Sequence, residues 1–209
     1  MTDVRTADER RRDIVAAARH EFATRGYDGA RVDAIVARAG FSKNLAYHYF
    51  ASKEGLFIAV IEDCYHRLMS CWSDGDQRAM APAAAMEHMV RSVHRSFLAH
   101  PELIPLINSE NLHRAGRIAK SSTILGIRNP LVEEIGTVLR RGARDGVFRP
   151  GVDSVELYIS ICALCWFHIS NRWTLGTMFQ EDLADPERLA RREEHVVEMV
   201  LGYLAARPG

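Results

Sequence analysis

The sequence has no excess of charge of either sign. Its 209 residues include 27 Lys and Arg and 27 Asp and Glu, so the formal net charge at pH 7 is zero. Proteins that coat nucleic acid without regard to sequence gain affinity by neutralising phosphates, and are therefore expected to be uniformly basic. The basic excess here is +3 and falls in residues 1–53, which hold ten basic and seven acidic side chains. This distribution disfavours a non-specific DNA-packaging protein, which stays open as an alternative.

Long hydrophobic runs and an apolar leader are also missing. The first twelve residues are rich in charge and no apolar segment follows them directly, so we expect no signal peptide. The most apolar stretch, residues 157–169, is shorter than the roughly 20 residues that a membrane-spanning helix needs, and Ser160 interrupts it. We therefore predict a cytoplasmic protein with no membrane association.

Cysteine is scarce, with four residues: Cys64, Cys71, Cys162 and Cys165. Disulfides are not expected in a reducing cytoplasm. Cys162, Cys165 and His168 share one helical face, which is a weak signal for metal or redox sensing. Because no second ligand pair lies nearby and small buried thiols are common in helical cores, we predict no metal site and no cofactor.

Motifs of catalysis are absent as well. The sequence contains no phosphate-binding glycine loop, no nucleophile elbow and no complete set of metal ligands. An enzyme that uses Cys165 with His168, or Glu110 with His113, is supported only by residue type. We therefore predict that the protein is not an enzyme.

What the sequence does contain is a helix, a glycine turn and a second helix near the N-terminus. Apolar residues at positions 32, 35, 36 and 39 give one buried helical face, and Gly40 follows where a left-handed C-cap is needed. Ser42 is placed to cap the next helix. A first helix that begins with a capping box of Thr6 and Glu9 and runs to about Arg25 completes the unit. The pattern predicts a helix-turn-helix DNA-binding domain over residues 1–53.

The second helix of this motif carries side chains suited to DNA. Its N-terminus favours a phosphate, near Ser42 and Lys43, while the amide of Asn44 matches a base edge. The hydrogen-bonding tips of Tyr47 and His48 lie on the same helix. For each residue the alternative is a solvated or packed side chain without DNA contact. The predicted DNA-binding residues are Arg31, Ser42, Lys43, Asn44, Tyr47, His48 and Lys53.

From about Asp8 to about Ile61 the chain resembles the DNA-binding domain of the tetracycline-repressor (TetR) family of bacterial regulators. The residues in the family's usual places are Phe22, Gly26, Tyr27, Ala39, Gly40, Ser42, Tyr47, Tyr49, Phe50, Ser52, Lys53 and Phe57. The sequence departs from the family at Asn44, at Leu45-Ala46 and at Arg31, which replaces a Ser or Thr cap. The resemblance implies an all-helical homodimeric regulator whose variable C-terminal domain binds a small effector.

Residues 54–209 show helical segments and no alternating strand pattern, so the predicted fold class is all-α. A three-helix N-terminal domain is followed by a larger helical domain, which we predict to bind the effector and to form the dimer. A fourth helix is predicted from Lys53 to about Trp72, followed by a break at residues 73–76. Further breaks are predicted near residues 100–101, 115–116, 129–130 and 146–151. Two apolar helical regions, 153–176 and 185–206, are the predicted homodimer interface, arranged as a four-helix bundle.

Polar residues beside apolar ones suggest an effector pocket in the larger domain. The predicted ligand-binding residues are Asn108, Asn111, Trp166, Phe167, His168, Asn171 and Trp173. Taken singly, each is also compatible with an ordinary core, cap or surface role. Glu110 and Arg114, four residues apart, are predicted to form a surface ion pair.

The combined prediction is a repressor that places two copies of the helix 42–49 in successive major grooves of a palindromic DNA operator and is released by a small-molecule effector.

Overall fold

The computed structural model describes residues 5–70, 79–126 and 129–206. In these ranges the regular structure is helical, and the extended backbone pairs only in an isolated antiparallel bridge between Phe148 and Ala205. The predicted all-α fold class is confirmed. Cys71 and the predicted break at residues 73–76 lie outside the described residues. None of the helices described is both long and apolar enough to cross a membrane.

The helices follow one another along the chain, and a short 3₁₀ helix, Ile118–Lys120, precedes the seventh. In the described ranges they are α1 Ala7–Gly29, α2 Val32–Ala39, α3 Lys43–Phe50, α4 Lys53–Ser70, α5 Pro82–Ala99, α6 Leu103–Leu112, α7 Ser122–Gly126, α8 Pro130–Arg144, α9 Ser154–Ser170, α10 Arg172–Phe179 and α11 Pro186–Leu204.

Helix starts follow local capping signals. Thr6 and Glu9 form the predicted capping box of α1, in which each side chain accepts a hydrogen bond from the other residue's backbone N–H. The Asp153 carboxylate accepts from two backbone N–H groups at the start of α9, and that of Asp185 accepts from the Arg188 N–H in α11. The predicted end of α1 coincides with a kink at Gly26, whose φ of 66° is left-handed.

The chain forms two compact units. The first comprises residues 1–67 and 100–127, and the second comprises residues 68–99 and 128–209. This division by packing does not test the predicted functional domains 1–53 and 54–209, which stay a prediction.

In the first unit, α1 packs on α2, α3 and α6. Its buried side includes Ile14, Ala18 and Phe22. The Phe22 ring meets that of Phe57 edge-on at 5.0 Å between centroids. These contacts join α1 and α4 in one core beneath the helix-turn-helix motif.

The predicted surface ion pair between Glu110 and Arg114 is wrong. Glu110 is buried, with 1% of its side chain exposed, and its Oε1 lies 2.9 Å from Nη1 of Arg117. Its Oε2 also accepts hydrogen bonds from the backbone N–H groups of Arg117 and Ile118, both at 3.2 Å. The chain folds back on α6 through Arg114 and Ala115, which have left-handed φ values of 56° and 57°. This turn brings residue 117, rather than residue 114, to the carboxylate.

The second unit is a helical bundle in which α5, α8, α9 and α11 pack against one another. Each contributes fully buried side chains, among them Met86, Ile135, Ile161 and Val196. Glu193 of α11 ties two of these helices together, because its carboxylate accepts from Arg91 Nη1 at 3.1 Å and from Arg95 Nε at 2.8 Å. Burial and ion pairing therefore hold α5 against α11.

Candidate nucleic-acid interface

The turn between α2 and α3 has the geometry that the sequence predicts. Gly40 adopts the left-handed conformation, with φ 76° and ψ 30°, and its N–H donates to the Val36 carbonyl. The Ser42 hydroxyl accepts a hydrogen bond from the Leu45 N–H at 3.2 Å, which caps α3. A tight turn and a defined helix start therefore fix the direction of α3.

One side of α3 is anchored in the first unit. Ala46 and Phe50 are buried, and Tyr49 is half-buried with its ring 6.1 Å from that of Phe50. The guanidinium of Arg11 lies 5.3 Å from the Phe50 ring, within the range of a cation–π contact. These apolar contacts leave the opposite side of α3 to solvent.

The exposed side of α3 carries four of the predicted DNA-binding residues: Lys43, Asn44, Tyr47 and His48. Lys43 Nζ lies 2.9 Å from Oδ1 of Asp33 in α2, and this partner raises the pKa of Lys43. The structure thus brings a cation, an amide and two aromatic hydrogen-bonding groups together on one short helix.

Lys53 lies at the start of the following helix. Ser52 caps α4, because its hydroxyl accepts a hydrogen bond from the Gly55 N–H at 3.0 Å. Lys53 Nζ donates to the Asp28 carbonyl at 3.3 Å and lies 4.9 Å from the Tyr27 ring. These contacts hold the ammonium group at the N-terminus of α4, beside the end of α1.

Arg31 precedes α2 and gives it no side-chain cap. Its backbone is extended, with φ −118° and ψ 128°, which is the conformation that a capping residue adopts. Its backbone N–H donates to Glu21 Oε1 at 3.3 Å. The first N–H groups of α2 therefore have no acceptor from residue 31.

Substituting Arg31→Thr is expected to stabilise the protein. A threonine hydroxyl at this position would accept from those N–H groups and raise the free energy of unfolding by about 0.5–2 kcal/mol. Urea denaturation followed by circular dichroism measures the change. The matched control Arg38→Thr places the same new residue in the exposed body of α2, where it is expected to be slightly destabilising. Equal stability of the two variants would contradict the prediction.

The predicted ligand-binding residues are divided between the two units. Asn108 and Asn111 are exposed on α6 of the first unit, whereas the other five belong to α9, α10 and their junction in the second. Trp166 packs edge-on against Phe97 at 5.1 Å, and Trp173 is 75% exposed. Asn171 Nδ2 donates to the Phe167 carbonyl at 2.9 Å and so closes α9.

Phe167 and His168, by contrast, line a cavity of about 270 Å³ in the second unit. Sequence reasoning missed the two arginines of this cavity, Arg188 and Arg192, because they lie on α11 and no local pattern links them to α9. Only the packing of the helices brings them to His168.

The cysteine motif has the properties of a buried core. Burial raises the pKa of Cys165 to about 12 and that of Cys162 to about 11, so both thiols are protonated at neutral pH. Among the residues described, no group of three or more His, Cys, Asp or Glu side chains is arranged to hold a metal ion. These observations give the cysteine-based enzyme no support.

The chain matches two protein families. Residues 14–60 match the family described as bacterial regulatory proteins, tetR family. Residues 82–200 match the family described as tetracyclin repressor-like, C-terminal domain. The two matches occur in the predicted order, with the DNA-binding region first and the larger helical region after it.

Relatives of the chain are regulators of transcription. It is 30% identical over 184 residues to the HTH-type transcriptional repressor NicS of Pseudomonas putida, covering 88% of this chain and 87% of NicS. It is 26% identical over 162 residues to the HTH-type transcriptional regulator RutR of Escherichia coli, covering 76% and 73%. A regulatory protein of the tetR family from Rhodococcus RHA1 has the same fold, with a TM-score of 0.73 over 96% of this chain and 99% of that one, at 19% identity.

These matches agree with the geometry of the first unit. A capped α3 with one anchored side and one polar side is what a helix-turn-helix protein uses to read DNA. Its relatives regulate transcription and are not enzymes. The chain belongs to the TetR family and is a DNA-binding transcriptional regulator.

Proposed function

We propose that the chain is a homodimeric repressor that binds a palindromic operator and leaves it when a small effector binds. This proposal rests on the exposed polar side of α3. That side carries Lys43, Asn44, Tyr47 and His48, whereas Ala46 and Phe50 of the same helix are buried. NicS, which is 30% identical to this chain over 88% of its length, is named a repressor, and this favours repression over activation. Because bacterial DNA lies in the cytoplasm, the cytoplasm is the proposed location of this protein.

The DNA contacts divide into two kinds. Ser42, Lys43 and Lys53 lie at the N-termini of α3 and α4, and Arg31 lies at that of α2, where backbone N–H groups and positive charge favour phosphate. Asn44, Tyr47 and His48 lie further into α3 and are assigned to base edges. On binding, Lys43 exchanges its exposed ion pair with Asp33 for a phosphate, and an exposed pair of this kind is screened by water and easily given up.

The second unit offers a surface for the homodimer. Residues 153–176 and 185–206 include exposed apolar side chains on α9 and α11: Val155, Ile159, Met199 and Tyr203. A groove of about 670 Å³ lies between the two helices and is lined by Leu157, Ala163 and Tyr203, among others. A second copy related by a two-fold axis would cover this apolar surface with the same surface of its own. To read successive major grooves, such a dimer must hold its two α3 helices about 34–36 Å apart, or a multiple of one DNA turn.

Release by an effector needs a connection between the two units. Residues 53–67 of α4 belong to the first unit, and residues 68–70 of the same helix belong to the second. We therefore assign α4 as the element through which an effector bound in the second unit shifts the α3 helices. A tenfold loss of operator affinity requires only about 1.4 kcal/mol of preference for the released state.

Operator binding by two alanine variants tests the proposed reading of DNA. Asn44→Ala is expected to weaken binding to the operator by about tenfold or more while leaving binding to unrelated duplex unchanged, because it removes a base contact. Lys53→Ala is expected to weaken both duplexes alike and to reduce the salt dependence of binding. Fluorescence anisotropy with the operator and a shuffled duplex measures both effects.

The matched control is Asn111→Ala, which removes an exposed asparagine of α6 outside the helix-turn-helix motif and is expected to leave both affinities unchanged. Equal weakening of both duplexes by Asn44→Ala would favour the packaging protein and overturn the proposal.

A further inference from the structure

The cavity of the second unit lies among α9, α10 and the beginning of α11. Its volume of about 270 Å³ is just below the range of about 300–1,000 Å³ typical of pockets for drug-sized ligands. Most of its lining is apolar, including Phe167, Phe179 and Leu189, and its polar side chains are His168, Arg188 and Arg192. Phe167 and Phe179 are 57% and 56% exposed, so they form a side of the cavity that is open to solvent. The space suits a molecule with one ring or a short chain.

Arg192 brings to this cavity a buried hydrogen-bond donor that is not used. Its Nη2 donates to the Leu164 carbonyl at 2.8 Å, which fixes the guanidinium against α9. Its Nε is buried and has no acceptor among the described residues. Arg188 differs, because it is paired with the carboxylate of Glu181. Arg192 lines the cavity and forms no ion pair among the described residues, so its guanidinium is a binding point for an anion that enters the cavity.

His168 adds a polar ring beside Arg192. Both of its ring nitrogens are buried. Its ring stacks on His94, with centroids 5.3 Å apart and an interplanar angle of 16°. Burial, with help from His94 and Arg192, lowers the pKa of His168 to about 4, so the ring is neutral at pH 7 and offers one N–H donor. Next to Arg192, the site therefore has one fixed positive charge and one neutral donor within apolar walls.

We propose that this cavity binds a small carboxylate with an apolar body, its carboxyl group placed between Arg192 and His168. The inference rests on the proposed effector function and gives the effector a chemical class. A carboxylate supplies a negative charge and hydrogen-bond acceptors to the guanidinium of Arg192, which lines the cavity beside His168. A cationic ligand would be repelled by Arg192.

Isothermal titration calorimetry of the full chain at pH 7.5 tests the proposal, with benzoate and hexanoate as probes and benzamide and hexanamide as their neutral counterparts. At least one acid is expected to bind saturably at one site per chain, and its amide to bind at least about tenfold more weakly, because a hydrogen bond to a charged group is lost. No binding by either acid, or equal binding by acid and amide, would overturn the proposal.

Variants locate the site. Arg192→Gln is expected to weaken acid binding by about tenfold or more, whereas the neighbouring, exposed Arg191→Gln serves as the matched control and leaves it unchanged. Leu189→Phe narrows the cavity without touching either polar group, and is expected to block binding even if Arg192→Gln does not fold. Unchanged acid binding in Leu189→Phe, or equal affinity of the two arginine variants, would overturn the assignment.

Anisotropy with operator DNA separates this inference from the proposed function. Acid binding that leaves operator affinity unchanged would support the carboxylate site and contradict release by its ligand. Operator binding by a chain that binds neither acid would overturn the carboxylate site and leave the DNA-binding proposal standing.

Discussion

Glu110→Ala is expected to lower the free energy of unfolding by about 3–5 kcal/mol, because it removes the partner of a largely buried charge. The Glu110 side chain is 1% exposed and that of Arg117 is 15% exposed, so water screens the pair little. Without the carboxylate, the Arg117 guanidinium and the backbone N–H groups of residues 117 and 118 lose their acceptor. The loss is a large share of the about 5–15 kcal/mol that stabilises a typical protein.

The effect also reaches the DNA-binding motif, because Arg117 packs on its core. The Arg117 guanidinium lies 3.8 Å from the Tyr27 ring and 5.6 Å from the Phe57 ring. Loss of Glu110 therefore loosens a turn that covers α1 and α4, and α1 is one of the helices that pack on α3. When urea unfolding is monitored by circular dichroism, we expect the unfolding transition to be broader or to occur at a lower urea concentration.

Glu54→Ala is the matched control. Glu54 forms an ion pair with Lys120 in the same unit, with side chains 35% and 62% exposed, and such a surface pair is worth about 0–1 kcal/mol. If Glu110→Ala costs no more stability than Glu54→Ala, the buried pair does not hold the turn in place.

Ile159→Glu is expected to convert the proposed dimer into monomers while leaving the monomer folded. Ile159 is 52% exposed on α9, so a charge there stays solvated in a single chain. In a two-fold dimer through α9 and α11 the substitution would bury an unpaired carboxylate twice, at a cost of several kcal/mol. Operator affinity is expected to fall by about 10²–10⁴, because a monomer loses the gain from binding two half-sites at once.

Sedimentation velocity and anisotropy measure these two effects. Leu112→Glu is the control: Leu112 is 81% exposed at the end of α6 in the first unit, and its change is expected to leave dimer and DNA binding intact. An Ile159→Glu protein that remains dimeric would place the interface elsewhere.

The sequence predicts the local parts of this structure well because their causes are local. The capping box of Thr6 and Glu9, the left-handed Gly40 and the cap at Ser42 all involve residues within a few positions of one another. The polar side of α3 follows from the same short-range pattern. Gly40, Ser42 and Tyr47 also carry the resemblance to the TetR family.

The features that the sequence does not predict depend on where distant segments meet. Glu110 looks like a surface residue paired with Arg114, until two left-handed residues turn the chain and bring Arg117 to it. Lys43 pairs with Asp33, ten residues away on another helix. Arg192 and His168 meet because α11 packs beside α9, so the sequence predicts a ligand contact for His168 and misses Arg192.

Hydroxyl-radical footprinting of the purified protein on its own genomic binding sites tests the central claim most directly. The proposed dimer predicts two symmetric protected regions on one face of the DNA, with centres about 34–36 Å apart or a multiple of that turn. Asn44→Ala is expected to lose both regions together at concentrations that saturate the unchanged protein. Continuous, asymmetric protection of every DNA sequence tested would contradict a dimer that reads an operator with α3.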